Sequence, residues 1–329
     1  MINISVVGLG YVGSAMSIIL ADTKNKRKNI FNVTGLDLDS KIGLERINRI
    51  NTSKFPFKTS DVQIEKKLNR IKKIGNLKAK VFNLESIKNS SIILVSINFD
   101  FSKDKIKIKK NFKNYKNTFK QIVQTVKENT LIVIESTLPP GFINNILLPV
   151  FNYELEKRNV DKKLVHLAYS YERVTPGKNY IDSISNGWRV YSAINEVSKT
   201  KCRKFLEKII NTKDYPLTEL ENITAAEAAK TLENSYRAIN IALIEEWTIF
   251  AETIGINLNK IIDAIKLRPT HNNMMFPGLG VGGYCLTKDP LLPSTSADFI
   301  FKNKKLKFNF SELAIKTNNL MPNRSFNII

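Results

Sequence analysis

The run Ile4-Ser5-Val6-Val7-Gly8-Leu9-Gly10-Tyr11-Val12-Gly13 joins a short apolar segment to a glycine pattern, and an apolar helix pattern follows it through Leu20. The apolar segment suits a buried parallel strand, and the glycines have the spacing of a dinucleotide-binding turn. Gly8 permits a tight turn, Gly10 lets the backbone approach a pyrophosphate, and Gly13 lets the helix pack closely on the strand. The stretch predicts a strand, a turn and a helix whose N-terminus faces phosphates, with a glycine-rich turn without cofactor as the alternative.

The second predicted strand supplies acidic residues. It runs from Phe31 to Leu38 and ends in Asp37 and Asp39. An acid at this position can bind both hydroxyls of a ribose, which favours NAD over NADP, and Asp37 is the better candidate. The spacing between the glycine turn and Asp37 exceeds the usual ~20 residues, because Lys24 to Asn29 forms a polar insertion.

Three later apolar runs, Ser91 to Ile97, Leu131 to Glu135 and Leu164 to Tyr169, alternate with amphipathic segments. This order predicts a doubly wound parallel sheet of the Rossmann type. Ligands bind beyond the carboxyl ends of such strands, so Asn98 and the run Glu135-Ser136-Thr137-Leu138-Pro139-Pro140-Gly141 are expected where cofactor and substrate meet. The alternative is that the run from Ser136 to Gly141 only ends a strand.

A glutamate also follows the last apolar run, in Glu172-Arg173-Val174-Thr175-Pro176-Gly177. Burying a carboxylate at a strand end is costly unless it has a role. Glu172 acts as a base or pairs with Arg173, and the local sequence does not separate these two readings.

A long helix is predicted from Thr224 to about Gly255, with Thr224 as the N-cap and Glu227 completing a capping box. Lys230 and Asn234 are four residues apart and project from one face of this helix. The apolar residues around them indicate a largely buried helix, in which a lysine needs a partner. A solvated pair is the alternative.

The segment from Gly278 to Pro290 combines a glycine-rich turn with Cys285, Lys288 and Asp289. Glycines allow a ligand to approach closely, and a thiol at the end of such a turn is a candidate nucleophile. The alternative is a tight loop with an incidental cysteine. The only other cysteine, Cys202, is expected to be a packing residue.

The composition excludes several classes of protein. With 329 residues, 43% of them hydrophobic, the chain can bury a sizeable core in two domains. It shows neither a membrane-spanning run nor a signal peptide, so a soluble cytoplasmic protein is expected. The net charge of +21 is spread along the chain, and its densest run, Lys103 to Lys120, is interpreted as a solvated loop and helix face. We therefore expect no nucleic-acid partner, no membrane partner and no metal site.

Together these motifs resemble the UDP-glucose/GDP-mannose dehydrogenase family, over nearly the whole chain from Met1 to about Pro322. The resemblance implies a Rossmann NAD-binding domain at 1–200 and an all-helical central domain with a long helix at 201–329, which carries the catalytic cysteine and forms a homodimer. It implies that the family's C-terminal UDP-binding domain is absent. It also implies that the protein oxidises a nucleotide sugar at C6, using two NAD, to make a precursor of a surface polysaccharide. UDP-sugars are the favoured substrates.

The resemblance further implies how the site works. Cys285 forms a thiohemiacetal and then a thioester, while Lys230 and Asn234 stabilise the oxyanion. Asp289 and Thr137 hold the attacking water and relay its proton, and Glu172 serves as a general base in hydrolysis.

The expected ligand-binding residues form two sets. The residues expected to bind the cofactor are Gly8, Gly10, Tyr11, Val12, Gly13, Asp37, Lys41, Asn98, Ser136, Thr137 and Lys288. Lys41 and Lys288 are included on the basis of the resemblance alone. The substrate set is Glu172, Arg173, Lys230, Asn234, Arg268, Gly282 and Tyr284.

Two departures from the family pattern qualify this interpretation. Asn98 stands where many members carry a threonine between prolines, so it must replace that cofactor contact. Pro176 stands where the UDP-glucose branch has a second acid, which favours the branch that acts on UDP-N-acetylhexosamines. A truncated, inactive NAD-binding or assembly protein is the main alternative. A 6-phosphogluconate or hydroxyacid dehydrogenase would leave Cys285 without a use, and direct DNA binding is a remote option.

Overall fold

The computed structural model describes residues 1–101, 104–174 and 177–328. The strands within these residues are β1 (Ile2–Val7), β2 (Lys24–Asn25), β3 (Lys28–Asn29), β4 (Phe31–Asp37), β5 (Leu77–Val81), β6 (Ile92–Val95), β7 (Leu131–Ile134), β8 (His166–Tyr169), β9 (Val190–Ala193) and β10 (Thr218–Glu219). The α-helices are α1 (Tyr11–Asp22), α2 (Lys41–Asn51), α3 (Val62–Ile74), α4 (Leu84–Lys88), α5 (Lys105–Val123), α6 (Leu148–Lys157), α7 (Tyr180–Ser185), α8 (Glu196–Leu206), α9 (Ile223–Ile254), α10 (Leu258–Lys266), α11 (Leu292–Thr295) and α12 (Asn309–Ile328). Short 3₁₀ turns lie at Pro269–His271 and Asp289–Leu291, and π-helical turns at Ile143–Leu147 and Ser296–Ile300.

The main sheet has the strand order β10-β9-β8-β7-β6-β1-β4-β5. β1 pairs in parallel with both β4 and β6, so its carboxyl end lies at the point where the strand order reverses. This arrangement confirms the predicted Rossmann-type fold. One pairing differs from the all-parallel expectation, because β9 runs antiparallel to β8, with Ala168 opposite Ala193.

Two compact units make up the chain: the first contains 1–137 and 141–227, and the second contains 138–140 and 228–329. The first unit holds the sheet, and its core includes Ile4, Val6 and Phe31, each no more than 1% exposed. The predicted domain boundary at residue 200 falls inside α8, whereas the two units divide within α9.

The polar insertion expected between the first helix and the second strand is a small hairpin. β2 and β3 pair antiparallel, and Lys26 and Arg27 between them have φ of 45° and 71°. The positive φ values of both residues are those of a tight turn that matches the twist of its strands. The hairpin therefore accounts for the extra residues between α1 and β4.

Among the described residues of the second unit, every regular element is a helix or a helical turn, which confirms the predicted helical domain. The long helix is present, but the predicted capping box is wrong. α9 begins at Ile223, and Asn222 Oδ1 accepts the Ala225 amide hydrogen at 2.9 Å. The carboxylate of Glu227 accepts hydrogen bonds from two backbone amides that are distant in sequence.

Candidate functional site

The turn after β1 requires glycine. Gly8 has φ of 95°, and a Cβ atom on Gly13 would lie 1.8 Å from the Gly8 carbonyl oxygen. A side chain at Gly13 would push α1 away from the turn, so close helix-to-strand packing follows from the absence of Cβ. Gly10 is the residue before α1 and leaves the first amides of that helix open to an anion.

A cavity of about 380 Å³ lies at the carboxyl ends of β1, β4 and β6. Its walls include Gly8, Gly10, Asp37 and Asn98, four residues that the sequence assigned to the cofactor. These positions lie at the switch point of the sheet, where dinucleotides bind in folds of this kind. The residues present therefore fit NAD in the first unit.

Asp37 is held in place at the end of β4 by three donors. Its Oδ1 accepts from the amide of Leu38 at 2.8 Å, and its Oδ2 accepts from the amide of Leu9 at 3.3 Å. Arg46 Nη1 also donates to Oδ2 at 3.3 Å. Asp37 is 8% exposed, so its carboxylate is fixed before any ligand arrives.

The lining of the cavity does not include the other seven residues of the predicted cofactor set, among them Thr137 and Lys288. Tyr11 stacks on Phe57 with ring centroids 3.9 Å apart. Lys41 is exposed at the start of α2. Val12 and Gly13 pack within α1 against the sheet, and Ser136 donates to the Ile97 carbonyl at 2.6 Å.

Sequence reasoning missed a wall of the cavity. The lysine-rich run, whose first residue lies outside the described residues, was interpreted as a solvated face, yet one side of α5 lines the cavity. Its lining residues are Asn111, Asn114, Tyr115, Thr118 and Gln121. Their helical spacing was a usable signal, since amides and hydroxyls recur there without lysine. Arg46 was missed as well.

A buried ion pair lies behind the carboxyl end of β7. Arg189 Nη2 is 3.1 Å from Glu135 Oε1, and Ser96 Oγ donates to Glu135 Oε2 at 3.1 Å. Burial raises the pKa of Glu135, the nearby Glu172 adds to the increase, and Arg189 opposes it. The pair fixes the strand end that leads into Ser136 and Thr137.

The predicted glutamate after β8 is buried, at 6% exposure, and accepts a hydrogen bond from the amide of Val174. Its neighbour Arg173 donates to the Trp188 carbonyl at 3.0 Å and to the Tyr171 hydroxyl at 3.2 Å. The choice between a base and a partner of Arg173 stays open. Pro176, on which the choice of substrate branch depended, lies outside the described residues, as does Thr175.

In the second unit, the thiol of Cys285 is exposed and forms no disulfide with Cys202, which is buried. Its backbone carbonyl accepts from the amides of Lys288 at 3.2 Å and Asp289 at 2.9 Å. The chain therefore turns sharply after the thiol and directs the following residues into the protein.

A buried polar cluster lies on the inner side of this turn. The carboxylate of Asp289 is 0% exposed, and Asn234 Nδ2 donates to its Oδ2 at 2.7 Å. Lys288 Nζ donates to its Oδ1 at 2.8 Å and lies 4.5 Å from the centre of the Tyr284 ring. The structure thus joins Asn234 and Asp289, and pairs Lys288 with Asp289 inside this unit.

The remaining predicted residues of the second unit differ in burial. Lys230, one turn before Asn234 on α9, is 6% exposed. Arg268, Gly282 and Tyr284 are exposed, and a Cβ on Gly282 would meet no atom within 4 Å. The exposed residues leave open space on the outer side of the cysteine turn.

Among the described residues, no group of three or more His, Cys, Asp or Glu side chains is arranged to hold a metal ion. In the same parts of the chain, no helix combines the length and apolar character that crossing a bilayer requires. The cytoplasmic location and the expected lack of metal, membrane and nucleic-acid partners stay predictions.

Comparison with known proteins gives two matches that together span most of the chain. Residues 2–210 match the NAD-binding domain of the UDP-glucose/GDP-mannose dehydrogenase family, and residues 224–319 match its central domain. The chain is 27% identical over 322 residues to the UDP-N-acetyl-D-mannosamine dehydrogenase of Pyrococcus horikoshii, covering 97% of this chain and 69% of that protein. It is 31% identical over 292 residues to the enzyme of the same name from Methanococcus vannielii, covering 88% and 60%.

Solved structures give the same result. The UDP-N-acetyl-D-mannosamine dehydrogenase of Pyrococcus horikoshii superposes with a TM-score of 0.80 at 25% identity, covering 99% of this chain and 70% of that one. Cap5O of Staphylococcus aureus, at 21% identity and a TM-score of 0.75, shares the fold; the alignment covers 99% of this chain and 69% of that one. The chain thus spans 60 to 70% of the length of the relatives named here.

Proposed function

The chain belongs to the UDP-glucose/GDP-mannose dehydrogenase family, and from this premise we propose that it oxidises a nucleotide sugar at C6 with NAD. The product is a uronate for a surface polysaccharide, and the substrate is a UDP-N-acetylhexosamine. The names of the relatives support this sugar class, since both sequence relatives above are called UDP-N-acetyl-D-mannosamine dehydrogenases.

One observation carries the proposal: the exposed thiol of Cys285 stands on a turn whose buried side holds a hydrogen-bonded carboxylate. Asp289 is fully buried and bound by Asn234 and Lys288. A buried carboxylate with two such partners stays oriented without rearrangement, which is what a group that positions a reacting water requires. A packing loop would need neither the carboxylate nor its partners.

The reaction proceeds in two oxidations at one carbon. The C6 alcohol loses a hydride and a proton to give an aldehyde, and the Cys285 thiolate adds to this aldehyde as a thiohemiacetal. Loss of a second hydride and the hydroxyl proton gives a thioester on Cys285. Water then cleaves the carbon–sulfur bond, which releases the carboxylate and restores the thiol. NAD, bound in the first unit, supplies the hydride acceptor at each oxidation.

The protein's own side chains manage charge and protons. Lys230 carries the positive charge that stabilises the oxyanion of the thiohemiacetal, with Asn234 one turn further along α9. Asp289 orients the hydrolytic water. Thr137 and Glu172 keep the roles in water binding and proton removal that the family resemblance implies.

The stoichiometry of NADH tests this proposal. The purified chain, given NAD with UDP-N-acetylmannosamine or UDP-N-acetylglucosamine, should form two NADH for each sugar consumed. Cys285→Ser should abolish the double oxidation, because a hydroxyl does not form the thioester at a comparable rate. Absorbance of NADH and mass spectrometry of the sugar product measure both outcomes.

Cys202→Ala is the matched control, because Cys202 is a buried thiol on α8 and should leave the ratio at two. One NADH per sugar in the wild-type chain would contradict the cysteine route. Binding of NAD without oxidation of any UDP- or GDP-hexose would instead support a non-catalytic protein of the same family.

A further inference from the structure

The cavity of the first unit contains a charge pair that the family resemblance did not assign. Asp37 and Arg46 both line it, and Arg46 Nη1 is 3.3 Å from Asp37 Oδ2. We propose that Arg46 and Asp37 together set the choice between NAD and NADP: Arg46 orients Asp37 for the ribose hydroxyls, and Asp37 withholds Arg46 from a 2′-phosphate. This inference rests on the proposed use of NAD and deepens it.

Asp37 retains the capacity to bind a ribose. A carboxylate offers about four acceptor positions, and Asp37 uses three of them, for Leu9, Leu38 and Arg46. These three donors fix the plane of the carboxylate. An acid in this position, at the end of the second strand of the fold, accepts from the 2′-hydroxyl of NAD.

Arg46 keeps most of its donors available. A guanidinium carries five N–H groups, and among the described residues its one polar contact is with Asp37. Its side chain is 27% exposed, and Cζ lies 5.4 Å from the centre of the Phe57 ring. Phe57 in turn stacks on Tyr11, so two aromatic rings support the guanidinium beside the cavity.

Asp37 and Arg46 have opposite effects on the binding of a 2′-phosphate. An arginine beside the ribose accommodates the phosphate of NADP, whereas a carboxylate at the same place repels it. With the Asp37 carboxylate hydrogen-bonded to Arg46, the carboxylate still repels the phosphate and the attraction of the guanidinium is already used. Removing the charge of Asp37 should therefore release Arg46 as a phosphate-binding residue.

Isothermal titration of the full chain with NAD and with NADP, in the absence of sugar, tests this pair independently of turnover. The wild-type chain should bind NAD at least about 100-fold more tightly than NADP. Asp37→Asn should weaken NAD about tenfold, through loss of a charged hydrogen bond, and strengthen NADP by about tenfold or more. Asp37→Ser is a second variant with the same expected direction.

The double variant Asp37→Asn with Arg46→Gln assigns the effect. The double variant should lose the gain in NADP affinity. Arg46→Gln alone should lower the affinity for NAD severalfold and should not raise the affinity for NADP. Arg49→Gln is the matched control, because Arg49 lies one turn further on α2 and its Nε donates to the Phe55 carbonyl at 2.9 Å. It should leave the ratio of the two affinities unchanged.

Two results would overturn the inference: equal affinity of the wild-type chain for NAD and NADP, or an NADP gain in Asp37→Asn that survives removal of Arg46. If the chain binds neither dinucleotide, the proposed cofactor is overturned as well. Selective NAD binding by a chain that oxidises no sugar would leave the pair standing and remove only the proposed reaction.

Discussion

At the scale of single residues, Glu227 shows how backbone amides fix a buried carboxylate. It is 0% exposed and accepts from the amides of Gly141 at 2.6 Å and Ile143 at 2.9 Å. Burial raises its pKa to about 8, against the opposing effect of the two amides. Because Gly141 follows shortly after Thr137, Glu227 anchors one end of the segment that contains Thr137.

We expect the stabilising effect of Glu227 to fade as pH rises. An acid whose pKa is higher in the folded state takes up a proton on folding, so its contribution is complete below the ordinary value of 4.5 and lost through about pH 8. Glu227→Gln removes this titration and leaves one amide poorly satisfied, at a cost of about 1–3 kcal/mol at low pH. Urea unfolding at several pH values measures the difference between the two chains.

That difference in unfolding free energy should shrink as pH increases from about 5 to about 8. Glu246→Gln, at an exposed position of the same helix, is the control and should change stability by less than about 0.5 kcal/mol at any pH. A difference that grows with pH would show that Glu227 is stabilised as a carboxylate.

At the scale of elements, the glycine-rich turn before Cys285 is packed on α12. A Cβ on Gly280 would lie 2.9 Å from Pro322 Cγ, and Ser325 Oγ donates to the Leu279 carbonyl at 3.3 Å. Arg324, between them on α12, binds Glu245 of α9 at 2.9 Å. The helix thereby holds the turn that leads to Cys285.

Gly280→Ala should destabilise the chain by about 1–3 kcal/mol and slow sugar oxidation, because the new methyl group overlaps Pro322. Pro322→Ala should relieve the overlap, so the two substitutions should be non-additive by about 1 kcal/mol or more in a double-mutant cycle. Thermal unfolding and initial rates measure both effects. Gly278→Ala is the control, since its Cβ would meet no atom within 4 Å. Strict additivity would mean that the contact with Pro322 does not hold the turn.

At the scale of the whole molecule, α9 exposes an apolar stripe that an isolated chain leaves in water. Tyr236, Leu243 and Phe250 follow one another at intervals of one heptad and are 55%, 41% and 60% exposed. Apolar side chains at such intervals on one helix face are typical of helix–helix association. The stripe supports the predicted homodimer, which stays a proposal.

Phe250→Glu should convert a dimer into a monomer of 37.4 kDa, because burying a carboxylate in the stripe is unfavourable. Light scattering after size-exclusion chromatography measures the mass. Ile106→Glu, at a 78% exposed position on α5, is the control and should leave the mass of the wild-type chain unchanged. A wild-type chain of monomer mass at micromolar concentration would contradict self-association through α9.

Local patterns predicted the parts of the site that lie within short stretches. The turn from Gly8 to Gly13, the acid at Asp37 and the length of α9 follow from residue types at fixed spacing, because interactions between neighbouring residues favour a particular turn or helix. The same reasoning failed at the start of α9. A capping box requires Glu227 to bind amides of its own helix, and amides 84 and 86 residues away bind it instead.

The sequence by itself determined that this chain forms a dinucleotide fold followed by a helical unit with a thiol on a glycine-rich turn. Only the tertiary structure decided which polar groups meet: Asp37 with Arg46, Glu135 with Arg189, and Asn234 with Asp289, 55 residues apart. The periodicity and spacing of residue types in a sequence reflect interactions between residues that are close along the chain. The partner of a buried charge depends on which strand ends and helix faces are adjacent after folding, and no local pattern contains that information.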